Sequence, residues 1–212
     1  FPIFVVPRQR NYKSKIINLS ISFTKTYLSA MISINLEGKN ALVCGASKGI
    51  GKAIAFALAD CGANVCLLAR NEEALKSHIQ EMPKSRNQKH RYLVADMNNL
   101  QSVEQTFDKL VSEPHFDILI NNSGGPAAGK LFLADQFQLE QAFRQHVLCA
   151  HLLSKKVLEG MKTAGYGRII NIISTSVKQP LDNLGVSNTI RAAMASWAKT
   201  LANEVAIYGI TV

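Results

Sequence analysis

Cysteine is scarce in this sequence, and long apolar runs are missing from it. The 212 residues include four cysteines, at positions 44, 61, 66 and 149. Their spacing matches neither paired metal ligands nor the disulfide framework of a small secreted domain, so we expect free thiols, no metal site and a cytoplasmic location. No apolar run reaches the roughly 20 residues that a membrane-spanning helix needs, so the sequence predicts no such helix.

Acidic residues are missing from residues 1–30, and this absence accounts for much of the positive charge. The whole chain carries a formal net charge of +9, and the five basic residues of this segment leave +4 for residues 31–212. In the remainder, lysine and arginine are interspersed with acids and do not form the basic face that nucleic acids require. The charge therefore argues against a nucleic-acid partner and suits a domain that binds a phosphorylated cofactor.

Residues 1–30 differ in composition from the rest of the chain. They begin with an apolar stretch and continue as a basic, hydroxyl-rich segment. Two interpretations are open: the tail of an organellar targeting segment, or translated upstream or otherwise non-native sequence. We favour the second, which predicts a disordered or non-native leader over residues 1–30 and a domain over residues 31–212.

A glycine-rich segment at residues 45–51 (GASKGIG) organises the rest of the chain. It follows the apolar residues 41–43 and precedes the helix-forming residues 52–59. Glycines allow a sharp turn and a close approach of phosphate to the backbone, and the helix that follows presents unpaired N–H groups. The segment therefore predicts a strand, a phosphate-binding turn and a helix.

Strand and helix patterns alternate along residues 31–212. This alternation predicts a parallel sheet covered by helices on both faces. Asn71 and Asp135 are predicted helix caps, and Gly62 is a predicted helix end. The predicted strands are 40–44, 64–69, 91–95, 116–120, 168–173 and a sixth that begins at 209; the predicted helices include 98–111, a long one over 135–161 and 186–208.

Three segments together resemble the short-chain dehydrogenase/reductase family. Residues 45–51 resemble its cofactor loop, residues 121–124 (NNSG) its Asn-Asn-Ala-Gly segment, and residues 167–174 (GRIINIIS) its catalytic-serine strand. The resemblance covers about residues 36–212 and implies an α/β, three-layer, Rossmann-type doubly wound sheet. It also implies a homodimer or homotetramer paired through two long helices that carry Leu148, Leu152, Trp197 and Leu201, although these side chains could equally be buried against the sheet. Because family members continue into a substrate lid and a last strand, we expect a C-terminally incomplete domain.

The end of the second predicted strand bears on the choice of cofactor. An NAD site usually places an acid there, whereas this chain has Ala69 followed by Arg70. Arg70 and Lys48 suit the 2′-phosphate of NADP(H), although both could be ordinary surface charges. We expect NADP(H) in preference to NAD(H). The resemblance implies these cofactor-binding residues: Gly45, Ser47, Lys48, Gly49, Ile50, Gly51, Arg70, Asp96, Met97, Asn122, Ser123, Gly124 and Arg191.

The catalytic residues that the resemblance implies depart from the family pattern. Ser174 matches the family serine, which orients the substrate oxygen. Ser187 and Arg191 stand at the family's Tyr-x-x-x-Lys position and share one helix face, and His146 stands at the asparagine position. A serine hydroxyl is a poorer acid than a phenol, and His146 could instead be a core histidine, which we favour.

Two functions from different classes follow from these residues. The first is an NADP(H)-dependent oxidoreductase that reduces a carbonyl, such as a 3-oxoacyl group, or oxidises an alcohol with the set Ser174, Ser187, Arg191 and His146. The alternative is a non-catalytic NADP(H)-binding protein or an inactive fragment of such a reductase. The oxidoreductase is the leading hypothesis, and the departures at His146, Ser187 and Arg191 motivate the alternative; the glycine turn is common to both.

Overall fold

The computed structural model describes residues 34–110 and 115–212. Residues 35–212 form one compact unit. The predicted leader at residues 1–30 and the predicted helix end at residue 111 lie outside the described residues. Among the residues that are described, no helix is both long enough and apolar enough to cross a membrane.

Six parallel strands form a single sheet, as the alternating pattern predicts. The strand order is β3-β2-β1-β4-β5-β6, so the direction of winding reverses between β1 and β4. Ligands of open α/β sheets bind at such a reversal, beside the carboxyl ends of the strands. The strands are β1 (Asn40–Cys44), β2 (Asn64–Ala69), β3 (Arg91–Val94), β4 (Ile118–Asn121), β5 (Gly167–Asn171) and β6 (Ile210–Thr211).

Helices cover both faces of the sheet and give it three layers. Val43 and Ile120 face one layer, where they pack with Ala55 of the first helix. Leu42 and Leu119 face the other layer and pack with residues of the long helices. The helices are α1 (Gly49–Asp60), α2 (Glu72–Glu81), α3 (Leu100–Asp108), α4 (Gln136–Phe143), α5 (Cys149–Ala164) and α6 (Gly185–Val205), with 3₁₀ turns at Leu131–Leu133, Thr175–Val177 and Ala206–Tyr208.

Most predicted elements exist, but several predicted boundaries are wrong by one to three residues. β3 ends at Val94, α3 spans Leu100–Asp108, β4 spans Ile118–Asn121, and α6 gives way to a 3₁₀ turn after Val205. β5 ends at Asn171, although the Ile172 amide still donates to the Asn121 carbonyl at 2.9 Å. Beyond Ile172 the chain leaves the ladder, because it turns into the 3₁₀ segment Thr175–Val177.

The predicted long helix over residues 135–161 is wrong in one respect that bears on the site. A π-helical segment, Arg144–Leu148, separates α4 from α5. A π turn accommodates one more residue than an α turn, so it rotates the side chains before it relative to those after it. Phe143, an apolar residue of the predicted long helix, is 40% exposed, whereas His146 is buried.

The predicted cap at Asp135 is confirmed and permits a stability test. Its carboxylate accepts from the Gln138 amide N–H at 2.8 Å, and the Gln138 side chain accepts from the Asp135 amide N–H at 3.0 Å. We expect Asp135→Ala to lower the free energy of unfolding by about 1 kcal/mol, because it leaves a helix N–H without a partner. Urea unfolding measures this change. Asp135→Asn, which keeps the acceptor oxygen, is the control, and an equal loss in both variants would contradict the capping role.

Candidate functional site

The glycine turn between β1 and α1 is a close-packed bend. Gly45 has φ +61°, and the Asn122 side-chain amide donates to the carbonyls of Cys44 at 3.2 Å and Gly45 at 3.4 Å. Gly51 lies against this bend, and a Cβ placed there would collide with the Gly45 carbonyl oxygen and lie 2.7 Å from Asn122 Nδ2. The packing therefore requires glycine at both positions.

The first turn of α1 offers unpaired backbone donors to the same edge of the sheet. Its N-cap residue, Lys48, makes no side-chain capping hydrogen bond, and the first turn contains no acid. By contrast, Asn71 caps α2 and Asp135 caps α4. Free N–H groups and the positive end of the helix dipole together favour an anion such as a phosphate.

A cleft of about 510 Å³ opens over this turn at the carboxyl ends of the strands. Eleven of the predicted cofactor residues line it, whereas Gly51 lies behind the turn and Arg191 lines a smaller cavity. The cleft is also lined by five residues that were not among the predicted cofactor residues: Ala69, Asn71, Ala74, Ala95 and Gln145. The eleven are Gly45, Ser47, Lys48, Gly49, Ile50, Arg70, Asp96, Met97, Asn122, Ser123 and Gly124.

Two cations and one acid set the charge of the cleft. Lys48 is exposed, and the Arg70 guanidinium lies 3.8 Å from the Asp96 carboxylate. The Arg70 side chain is 73% exposed and that of Asp96 is 41% exposed. Water therefore screens the two charges, and the attraction between them is weak. Arg70 is therefore able to turn toward a phosphate without a large electrostatic cost.

His78 supports the cleft from behind and was not predicted. Its Nε2 lies 3.0 Å from the Ser47 carbonyl oxygen, and the ring packs edge-on against Phe56 of α1. The contact joins α2 to the glycine turn across 31 positions of the sequence. In the sequence, only the three-residue spacing of Leu75 and His78, which places both on one face of α2, hints at this contact.

The predicted catalytic residues Ser174 and Arg191 converge on the segment that follows β5. The Ser174 hydroxyl accepts from the Ser176 amide at 3.1 Å, and the Arg191 guanidinium donates to the Ile172 carbonyl at 2.8 Å. Arg191 is 8% exposed and therefore fixes the segment from within. Ser187 lies one turn before Arg191 and is half-buried. Lys178, which lies four residues beyond Ser174, is exposed.

His146 connects the π segment to the cleft. It is 4% exposed, and its Nδ1 lies 2.6 Å from the Ser123 hydroxyl. Burial lowers the pKa of His146 to about 4, the positive Arg191 adds to this lowering, and the nearby Gly124 backbone opposes it. The imidazole is therefore neutral at pH 7, and the bond with Ser123 links two neutral groups.

The lowered pKa of His146 predicts a pH-dependent stability. The folded state protonates this ring only near pH 4, whereas the unfolded chain does so near 6.5, so protons favour unfolding between these values. We expect a loss of roughly 3 kcal/mol as the pH falls from 6.5 to 4. Arg191 is the charged group that faces the ring. The Cys149 thiol, which lines the same small cavity, stays neutral because burial raises its pKa to about 12.

Denaturant unfolding at several pH values measures this effect, with His146→Phe as the comparison. Burial also lowers the pKa of His90, which contributes in the same direction in both proteins. The difference between the two pH profiles therefore isolates His146. Parallel profiles would contradict the prediction.

Comparison with known proteins gives a consistent result. A family profile described as short chain dehydrogenase matches residues 39–212. A 3-oxoacyl-(acyl-carrier-protein) reductase of Vibrio cholerae is 35% identical over 182 residues, which cover 84% of this chain and 72% of that protein. L-xylulose reductase of Caenorhabditis elegans is 33% identical over 180 residues, covering 82% and 68% of the two chains.

A solved structure extends the likeness to three dimensions. L-sorbose reductase of Gluconobacter frateurii, complexed with NADPH and L-sorbose, superposes with a TM-score of 0.79 at 28% identity. The match covers 84% of this chain and 68% of that one. The profile match, the identities and the shared sheet agree with the three sequence segments that resemble the family. The chain belongs to the short-chain dehydrogenase family.

Proposed function

We propose that this protein binds NADP(H) in the cleft over the glycine turn. The observation that carries the proposal is the uncapped first turn of α1, which points free N–H groups at a cleft of about 510 Å³ lined by Lys48 and Arg70. The pyrophosphate would lie on residues 45–51, and Asp96 and Asn122 would lie beside the adenosine. The size and charge of the cleft suit a dinucleotide.

Arg70 supports NADP(H) over NAD(H). It follows the strand end at which NAD-binding proteins usually carry an acid, and here that position is Ala69. A guanidinium forms strong, charge-assisted hydrogen bonds with phosphate. L-sorbose reductase of Gluconobacter frateurii, a relative by structure, is complexed with NADPH.

We further propose that the protein is an oxidoreductase acting on a small carbonyl or alcohol, for which a 3-oxoacyl group is one candidate. Bound nicotinamide would exchange a hydride with the carbonyl carbon. Ser174 would orient the substrate oxygen by donating a hydrogen bond from its hydroxyl, since its own oxygen already accepts from the Ser176 amide. Arg191 would position the Ser174 segment through the Ile172 carbonyl. Two roles remain predictions from the family resemblance: that Ser187 donates a proton, and that Arg191 contacts the ribose of the cofactor.

A non-catalytic NADP(H)-binding protein is the second candidate. Ser187 offers a hydroxyl that is a much poorer proton donor than a phenol, and Arg191 is buried with its guanidinium bonded to a backbone carbonyl. If this candidate is right, reductase activity should appear only when Ser187→Tyr and Arg191→Lys are combined.

We also propose that the protein is located in the cytoplasm and that the domain over residues 31–212 forms a homodimer or homotetramer.

Calorimetric titration with NADPH and NADH tests the cofactor proposal. We expect tighter binding of NADPH, and we expect Arg70→Gln to weaken NADPH binding by about 10- to 100-fold while NADH changes little, because charged hydrogen bonds contribute about 1.5–3 kcal/mol. Arg86→Gln, a change of an arginine that does not line the cleft, is the control. If the protein binds neither NADPH nor NADH, the proposal is overturned. A panel of carbonyls and alcohols then tests turnover.

A further inference from the structure

A second, smaller cavity lies beneath the cleft. It has a volume of about 20 Å³ and is bounded by the ends of β1 and β4, the π segment, α5 and α6. One water molecule requires roughly 10–15 Å³ of such space. The cavity therefore accommodates a single water-sized group and is too small for a substrate. Its polar lining includes Asn121, His146 and Arg191, each at least nine-tenths buried.

Two of these side chains present polar atoms that have no hydrogen-bond partner among the described residues. They are Asn121 Oδ1 and His146 Nε2. The other ends of both side chains are engaged, because Asn121 Nδ2 donates to Asn171 at 2.9 Å and His146 Nδ1 lies 2.6 Å from Ser123 Oγ. Buried polar atoms are almost always paired, so two such atoms on one small cavity call for a shared partner.

The charges around the cavity restrict what that partner is. The Arg191 guanidinium repels a cation, and the Asn121 carbonyl oxygen, which only accepts hydrogen bonds, repels an anion. A neutral water donates to Asn121 Oδ1 and either donates to or accepts from His146 Nε2, whichever tautomer the ring adopts. Water therefore satisfies both atoms without adding charge.

We propose that one water molecule binds in this cavity and bridges Asn121 to His146. It joins Asn121 at the end of β4 to His146 of the π segment. Through His146 the water continues to Ser123, which lines the cleft. The proposal rests on the orphaned atoms and the cavity, and it is independent of which cofactor the cleft binds.

A crystal structure of the whole chain tests the proposal directly. We expect one peak of density within about 3 Å of both Asn121 Oδ1 and His146 Nε2. His146→Phe, which keeps a ring and removes the nitrogen, should lose the peak. Ser154→Ala removes a buried, unpaired hydroxyl that does not line the cavity, so this control should keep it. A direct bond between the two atoms, an absent peak or a bound ion would overturn the proposal.

A solution measurement keeps the test independent of crystal growth. Magnetic relaxation dispersion counts long-lived internal waters. We expect the count to fall by one in His146→Phe and to stay unchanged in His151→Phe, which makes the same change at an exposed histidine that does not line the cavity. An unchanged count in His146→Phe would refute the bridge. Neither readout involves NADPH or turnover, so failure here is distinguishable from failure of the proposed function.

Discussion

Gly51→Ala is expected to weaken NADPH binding by at least about 100-fold and to lower the free energy of unfolding by about 2 kcal/mol. Alanine would normally strengthen a helix by about 1 kcal/mol relative to glycine. Here its Cβ collides with the backbone carbonyl of Gly45, which cannot move aside as a flexible side chain can. Overpacking against such an atom costs about 1–3 kcal/mol or more, so the collision outweighs the helix propensity.

Calorimetric titration and urea unfolding measure the two effects of Gly51→Ala. Gly129→Ala is the matched control, because Gly129 has no heavy atom within 4 Å of its would-be Cβ and lies outside the cleft. We expect the control to bind NADPH as the parent protein does. Wild-type affinity in Gly51→Ala would show that the turn does not hold the pyrophosphate.

Ser174→Ala is expected to lower kcat by about 100- to 1,000-fold on any carbonyl that the protein reduces, while the Kd for NADPH stays within a few-fold. Loss of one donor to a developing oxyanion has effects of this size in other enzymes. The hydroxyl of Ser174 also caps the 3₁₀ turn by accepting from Ser176, so the thermal midpoint of each variant should be recorded.

Two neighbouring substitutions separate chemistry from structure at this position. Ser174→Thr keeps a hydroxyl and should retain part of the activity. Ser176→Ala removes a hydroxyl that is buried and unpaired only two residues away, and it should leave kcat nearly unchanged. Full turnover in Ser174→Ala would remove this serine from the mechanism and would favour the non-catalytic alternative.

The sequence predicted the succession of strands and helices along the chain and the location of the phosphate-binding turn. These features depend on local properties: apolar runs form buried parallel strands, and glycines before an apolar helix form a tight turn. Cap residues such as Asn71 and Asp135 were predictable for the same reason, because each bonds to a backbone N–H three residues ahead. Eleven of the predicted cofactor residues line one cleft because strand order places their loops at one sheet edge.

Contacts between distant segments could not be predicted, and they are the ones that shape the candidate site. The π segment at Arg144–Leu148 turns His146 inward to meet Ser123, 23 positions earlier, and it leaves no trace in the apolar spacing. The bond from Arg191 to Ile172 and the contact of His78 with Ser47 likewise depend on how helices dock against the sheet.

The sequence alone determined that this chain folds as a doubly wound sheet with a phosphate turn, because strand, turn and helix preferences act over a few neighbouring residues. Only the tertiary structure decided that His146, for which the sequence favoured a core position, is neutral and bonded to Ser123, that Arg191 is bonded to a backbone carbonyl, and that a small polar cavity lies between them. The burial of a side chain and its hydrogen-bond partners depend on which surfaces pack together. For the polar side chains beneath the cleft, these surfaces are the sheet and the helices α5 and α6.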